Sequence, residues 1–427
     1  MQPKSPQNVI DNYIKWMDRN THEIDKIHST FLDLRLMGMR QLGSLIEQQV
    51  KSYRSEYSLP DHALFNQKEL HEFATGSVVK CLGEEYAIYA GRRSPRSPNG
   101  DLLLMSRVVS IRGRKGVLDQ ISSITVEYDV PENAWYFNGE SHGRLPYSIC
   151  LEVALQPCGF LSAYLGTPLR FPNVDYYFRN LDGESKINHL MDTRAKTIFA
   201  RANLLKTIFY GSTIIQHFSF ELECDGIVFF EGNSSFGYFP SENMTGQAGL
   251  DGRKIVHPWM EQTGKKNRDI TIDEIGLSQY LPKGKLRLID GVIIINQSGN
   301  NGEGYVYAYR KNSPKDWFYT NHFFEDPVMP GSLGIEAMFQ ALKVYATKQF
   351  PGTASTEIVT GQIIKWSYRG QVLPHHQRMQ LEVHLNKVEE MGKTKVYTGD
   401  ASLWADDSRI YTVRNLKIAA DQTQESK

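Results

Sequence analysis

The segment Asp316 to Gln340, DWFYTNHFFEDPVMPGSLGIEAMFQ, gathers several groups able to do chemistry into one short stretch. His322 stands on an expected loop, and an imidazole that titrates near neutrality suits proton transfer. Gly331 follows Pro330 where a helix should begin, and unpaired backbone N–H groups at a helix start can polarise a carbonyl oxygen. Glu336 sits inside an otherwise apolar run, where desolvation should raise its pKa and keep it partly protonated. Gln340, one turn later, is in reach of that carboxyl or of a water. A base, an oxyanion donor and a neutral carboxylic acid are the parts of a β-elimination beside a thioester. The base removes the α-proton, the N–H holds the enolate-like oxygen, and the acid protonates the departing 3-hydroxyl. Each residue alone also has an ordinary structural reading: a loop histidine, a hydrogen-bonded buried glutamate, proline–glycine punctuation before a helix. Only the string as a whole points to chemistry.

Such groups need elements to hold them. Ser332 to Ala346 and Tyr147 to Tyr164 are apolar almost all round, as expected of helices buried on every side, and each follows a proline. Laying Pro146 on Pro330, 184 positions later, also lays Leu102, Leu104, Val108 and Ile111 on Leu286, Leu288, Val292 and Ile295. The same shift lays Glu152 on Glu336 and Gln156 on Gln340. Trp135 and Trp317 are 182 apart, so the first copy has a loop shorter by two residues. The chain therefore reads as a duplicated α+β unit of strand, loop, buried helix and strands.

The strand candidates are Leu102 to Ile111, Ser122 to Val130, Ile214 to Glu223, Ile227 to Phe230, Val292 to Gln297, Gly304 to Arg310, Gln380 to Lys387 and Ile410 to Ala419. The glycine-rich Ser298 to Gly304 has strands on both sides and no helix after it, so it reads as a hairpin turn rather than a phosphate loop. Residues from about Pro6 to Gln49 show three-or-four spacing and read as one or two amphipathic helices. Gly166 to Asn203 reads as linker or insertion and receives no function.

At 427 residues the chain has room for two or three domains, and the expected boundaries are 1–58, 59–250 and 251–427. Lysine plus arginine equals aspartate plus glutamate at 48 each, so no bulk field points to nucleic acid or an anionic membrane. Cys81, Cys150, Cys158 and Cys224 form no CxxC pair, which disfavours zinc or a disulfide framework. No run reaches the roughly 18 apolar residues of a membrane span, the N-terminus lacks a signal-peptide core, and the cytoplasm is the default. There is no metal, nucleotide or flavin motif.

HFFEDPVMPGSLGIEAMFQ resembles the signature of the bacterial β-hydroxydecanoyl-acyl-carrier-protein dehydratase family. The resemblance continues through Gly370-Gln371-Val372-Leu373-Pro374, Asp407 to Thr412 and Asn415-Leu416-Lys417, and so covers roughly Lys285 to Ala419. The first half matches less closely, over LLLMSRVVSI, Trp135-Tyr136-Phe137 and LEVALQ. The double arrangement, with PYSICLEVALQPCGFLSAYLGT in the first copy, looks like the dehydratase region of polyunsaturated fatty acid synthases.

The resemblance implies a tandem hotdog fold, two antiparallel sheets each wrapped around a buried helix, behind an N-terminal helical segment. It implies a 3-hydroxyacyl-thioester dehydratase, with isomerisation of the double bond as a further reaction of some members. It implies a catalytic base at His322, an oxyanion amide at Gly331 and an acid at a glutamate position. In family dimers the histidine and the carboxylate come from opposite subunits. Carried onto a fused pair, His322 faces Glu152 and Gln156, with Glu336 and Gln340 as the alternative acid and its partner. The first copy offers Asn138 or Glu140 where the second has histidine, with His142 displaced, so one working site and one dead site are expected. The implied partners are an acyl carrier protein, whose phosphopantetheine arm carries the substrate, and other domains of a megasynthase; a homodimer is compatible. No cofactor or metal is expected. A carrier-binding scaffold without catalysis and a hotdog thioesterase are the rival readings.

Overall fold

The structure, a computed structural model, describes residues 63–137, 142–244, 248–264 and 268–422. The helices expected over about Pro6 to Gln49, and the segment 1–58 that contains them, lie outside the described residues.

The two apolar segments are helices, Tyr147–Tyr164 and Gly331–Gln349, with Pro146 and Pro330 at their N-caps. A proline side chain accepts no hydrogen bond, so neither helix has a side-chain cap and its first amides remain for other partners. Among the described residues, one helix, Tyr147–Arg170, is long and apolar enough by composition to cross a membrane, contrary to the expectation that no run would be. Of its apolar 18-residue stretch, 78% is buried inside the protein, so it serves as a core helix here.

Around the first core helix run β1 (Arg107–Arg112), β2 (Ser122–Asp129), β3 (Tyr176–Ile187), β4 (Thr197–Tyr210), β5 (Thr213–Cys224) and β6 (Ile227–Pro240). Around the second run β7 (Ile270–Ile272), β8 (Gly291–Ile295), β9 (Tyr305–Lys311), β10 (Thr353–Ile358), β11 (Ile364–Tyr368), β12 (Arg378–Met391), β13 (Thr394–Ala405) and β14 (Ser408–Gln422). Burial alternates strictly along β5, with Ile214, Gln216, Phe218, Phe220, Leu222 and Cys224 inward, as a sheet with one core face requires. The strands join in the order β1-β2-β4-β5-β6-β3-β11-β14-β13-β12-β9-β8-β7, with β10 on β14. Each half is an antiparallel sheet wrapped on its helix, and the chain is a tandem hotdog.

The halves meet along β3 and β11, where Lys365 pairs with Glu184 and Trp366 with Gly183. A Cβ on Gly183 would stand 2.2 Å from the Trp366 ring, so the indole can lie across the joint only because residue 183 has no side chain. Trp366 Nε1 donates to Asn180 Oδ1 at 2.7 Å, and Asn180 Nδ2 donates to Ser234 Oγ at 2.6 Å. Gly183→Ala should therefore destabilise the protein by about 1–3 kcal/mol through overpacking, read as a lower denaturant midpoint with the slope unchanged. The segment expected to be linker thus supplies the strand that fuses the two sheets. Its polar residues follow from its position, since β3 is covered less evenly than the other central strands.

Two further expectations need correction. Leu102 to Ile111 is not one strand: β1 starts at Arg107, and Gly100–Leu102 is a 3-10 turn. The cause is Gln156 on the core helix, whose Nε2 donates to Leu102 O at 2.8 Å while its Oε1 accepts from Leu104 N at 3.0 Å. Those backbone groups are taken before a strand ladder can use them. The run beginning at Ile227 extends to Pro240, well past Phe230. Ser298 to Gly304 connects β8 to β9, whose ends pair at Ile295 and Tyr305, as a hairpin does.

Candidate active site

His322 ends a short helical turn, Phe318–Asn321, and its loop is tied on both sides. Its amide donates to Phe318 O at 2.9 Å, and its carbonyl accepts from Val328 N at 2.8 Å. The ring Nδ1 lies 3.1 Å from Val328 O. A carbonyl can only accept, so Nδ1 carries the proton and Nε2 keeps its lone pair. Burial drives the imidazole pKa down to about 4, with Arg179 adding to the fall while the Val328 carbonyl and Asp326 oppose it. The ring is a neutral base at physiological pH.

The loop is also clamped from the other half of the chain. Arg179 of β3 grips Asp326 through two hydrogen bonds, Nη1 to Oδ2 at 2.6 Å and Nη2 to Oδ1 at 2.7 Å. Both side chains are largely buried, at 8% and 15% exposure. Removing either partner would strand a charge, which makes the clamp a strong determinant of loop position.

The core helices exchange hydroxyls at their N-termini. Ser332, in the first turn of the second helix, donates Oγ–H to Glu152 Oε1 at 2.7 Å. Ser148, in the first turn of the first helix, donates to Glu336 Oε2 at 3.1 Å. The two serines, like the two glutamates, are 184 positions apart, and both carboxyls are 6% exposed. The glutamines repeat the symmetry: Gln340 Oε1 accepts from Leu288 N, and its Nε2 donates to Leu286 O. Gln340 spends both ends on backbone, so it braces a loop rather than binding Glu336 as the sequence suggested. Gln156 does the same work and also reaches Glu152 Oε2, at 3.5 Å.

One cavity breaks the symmetry. About 910 Å³ in extent with its mouth included, it is lined by His322, Glu152, Gln156, Gly331 and Ser332. Glu336 and Gln340 do not line it. Leu151, Leu155, Gly159 and Phe160, on one face of the first core helix, continue it together with Phe178, Phe236 and Tyr238. Burial raises the Glu152 pKa against the lowering effect of the Ser332 and Gln156 hydrogen bonds. The cavity therefore holds a neutral imidazole, a carboxyl biased toward its protonated form, and an uncapped helix start at Gly331. Such a set can take a proton from one carbon, give one to an oxygen, and hold a carbonyl between them.

His142 is exposed and lines none of this cavity, while Asn138 and Glu140 lie outside the described residues. Arg179, Asp326, Ser332 and Tyr368 had no role in the sequence reading. A signal existed for Ser332, because Ser148 and Ser332 obey the same repeat as the glutamates and precede them by four residues. No local pattern marks Arg179, whose partner is 147 positions away.

Residues 281–414 match the family described as FabA-like domain. The chain is 34% identical over 380 residues, 81% of its length, to a protein of the polyunsaturated fatty acid synthase of Thraustochytrium sp.. It spans 25% of that relative's length. Among solved structures it is similar to the dehydratase domain from the CurJ module of curacin polyketide synthase, at 11% identity and a TM-score of 0.42, covering 75% of this chain and 97% of the other. An acyl-ACP thioesterase from Bacteroides thetaiotaomicron is similar at 10% identity and a TM-score of 0.37, covering 69% of this chain and 97% of the other.

Proposed function

Because residues 281–414 match the FabA-like domain family, we propose that the chain dehydrates 3-hydroxyacyl thioesters to trans-2-enoyl thioesters at the cavity between its two hotdogs. His322 Nε2 takes the C2 proton, the Gly331 amide holds the thioester oxygen, and Glu152 delivers its proton to the departing 3-hydroxyl. Water leaves, and return of the proton from imidazolium to carboxylate resets the site. Gln156 fixes the Glu152 side chain. The apolar face of the first core helix receives the acyl chain, so the hotdog that does not carry His322 supplies both the acid and the channel. The substrate arrives on the phosphopantetheine arm of an acyl carrier protein, and the other domains of a cytoplasmic synthase are the working neighbours. Glu336 is the acid of no working site.

One observation carries this reading: an imidazole whose pKa burial lowers and a carboxyl whose pKa burial raises line the same cavity as an uncapped helix start. A thioesterase would release free thiol, and a scaffold would release nothing. The expected result with a 3-hydroxyacyl pantetheine thioester is loss of water with the thioester intact, followed by mass spectrometry. The pH profile of kcat/KM follows from the two shifts. His322 works unprotonated, so activity should fall as pH drops through about 4. Glu152 works protonated, so activity should fall as pH rises through its elevated pKa. Release of thiol without enoyl product, or no turnover with bound substrate, would overturn the proposal.

A further inference from the structure

Tyr368 closes β11 and is 6% exposed, with its ring packed on that of Tyr411 at 4.4 Å between centroids. Its hydroxyl is buried and has no hydrogen-bond partner among the described residues. Buried hydroxyls are rarely left so, and one that is calls for an explanation. The hydroxyls of Ser94, Ser97 and Tyr397 share the condition, and Ser97 also lines the cavity, but Tyr368 is the one whose ring packs against Gly331 at the helix start.

The position of the phenol narrows its purpose. A Cβ on Gly331 would stand 2.7 Å from Tyr368 Cε2 and 3.1 Å from its hydroxyl oxygen. Only glycine at the helix start allows this approach, so the phenol and the Gly331 amide share one corner of the cavity. Burial, then Tyr411, Tyr147 and Glu152, push the phenol pKa up, so it stays a donor throughout the working pH range.

We propose that the Tyr368 hydroxyl is a second hydrogen-bond donor, beside the Gly331 amide, to the thioester oxygen of the substrate. This rests on the dehydratase reading above. The oxygen gains charge as the C2 proton leaves, so a donor aimed at it stabilises the transition state more than the bound substrate. The phenol has no partner among the described residues because its partner is the ligand.

The test is Tyr368→Phe in the full chain, assayed for turnover and for thermal unfolding. The variant removes one oxygen that makes no hydrogen bond among the described residues, so Tm should hold or rise. Turnover should fall about 100-fold with KM little changed, the scale seen when one oxyanion donor is lost. Unchanged kcat beside an active wild type would overturn the assignment and leave the dehydratase reading intact. A fall in Tm with raised KM would show a packing role and overturn it too. A wild type without dehydratase activity would remove the parent reading and this one together.

Discussion

His322→Ala should reduce kcat for dehydration by a factor of about 10²–10⁴, the usual contribution of a positioned general base. The ring has one free nitrogen, because Nδ1 is committed to the Val328 carbonyl. Among the described residues, nothing else lining the cavity offers a neutral base in its place: the guanidiniums of Arg96 and Arg179 are permanently charged, and Glu152 is biased toward its protonated form. The fold should survive, since the loop is held by backbone bonds and the Arg179–Asp326 clamp rather than by the ring alone. The measurement is steady-state turnover beside a thermal melt. Full activity in a folded alanine variant would remove His322 from the mechanism.

Glu152→Gln should produce a loss on the same scale while Glu336→Gln leaves turnover near that of the wild type. The contrast is sharp because the two residues are matched in almost every other way. Both are equally buried, both accept a hydroxyl from the opposite helix, and both precede a brace glutamine by one turn. They differ in facing the cavity. A structural role for the carboxyls would make the two variants behave alike, whereas acid catalysis separates them. If His322→Ala and Glu152→Gln act in one step, the double variant should lose little more than either alone, as residues working as a unit do. Loss on Glu336→Gln with activity retained on Glu152→Gln would reverse the pairing.

Much of this arrangement could be read in the sequence because it is local or repeated. The buried helices are continuous apolar runs set off by prolines, and the shift of 184 positions carries glutamate, glutamine and leucines from one copy to the other. His322, Gly331 and Glu336 stand close together in the chain, so their combination is visible without a fold. The partners that cross between the halves are not visible. Arg179 and Asp326, or Trp366 and Gly183, are joined only by the pairing of β3 with β11. That strand reads as linker because its burial does not alternate cleanly. The strand expected from Leu102 failed for a related reason: its backbone bonds go to a side chain more than fifty positions away, and no periodicity records that.

The reciprocal serine–glutamate contacts bear on how such a protein can be divided. Ser332 completes the bonding of Glu152 and Ser148 that of Glu336, so each half buries a carboxyl whose hydroxyl partner belongs to the other. A single hotdog cut from this chain would carry an orphaned acid in its core and an exposed strand edge where β3 meets β11. The smallest cooperative unit is therefore the pair. Recombination that respects this chemistry would exchange both hotdogs together, leaving their shared seam uncut.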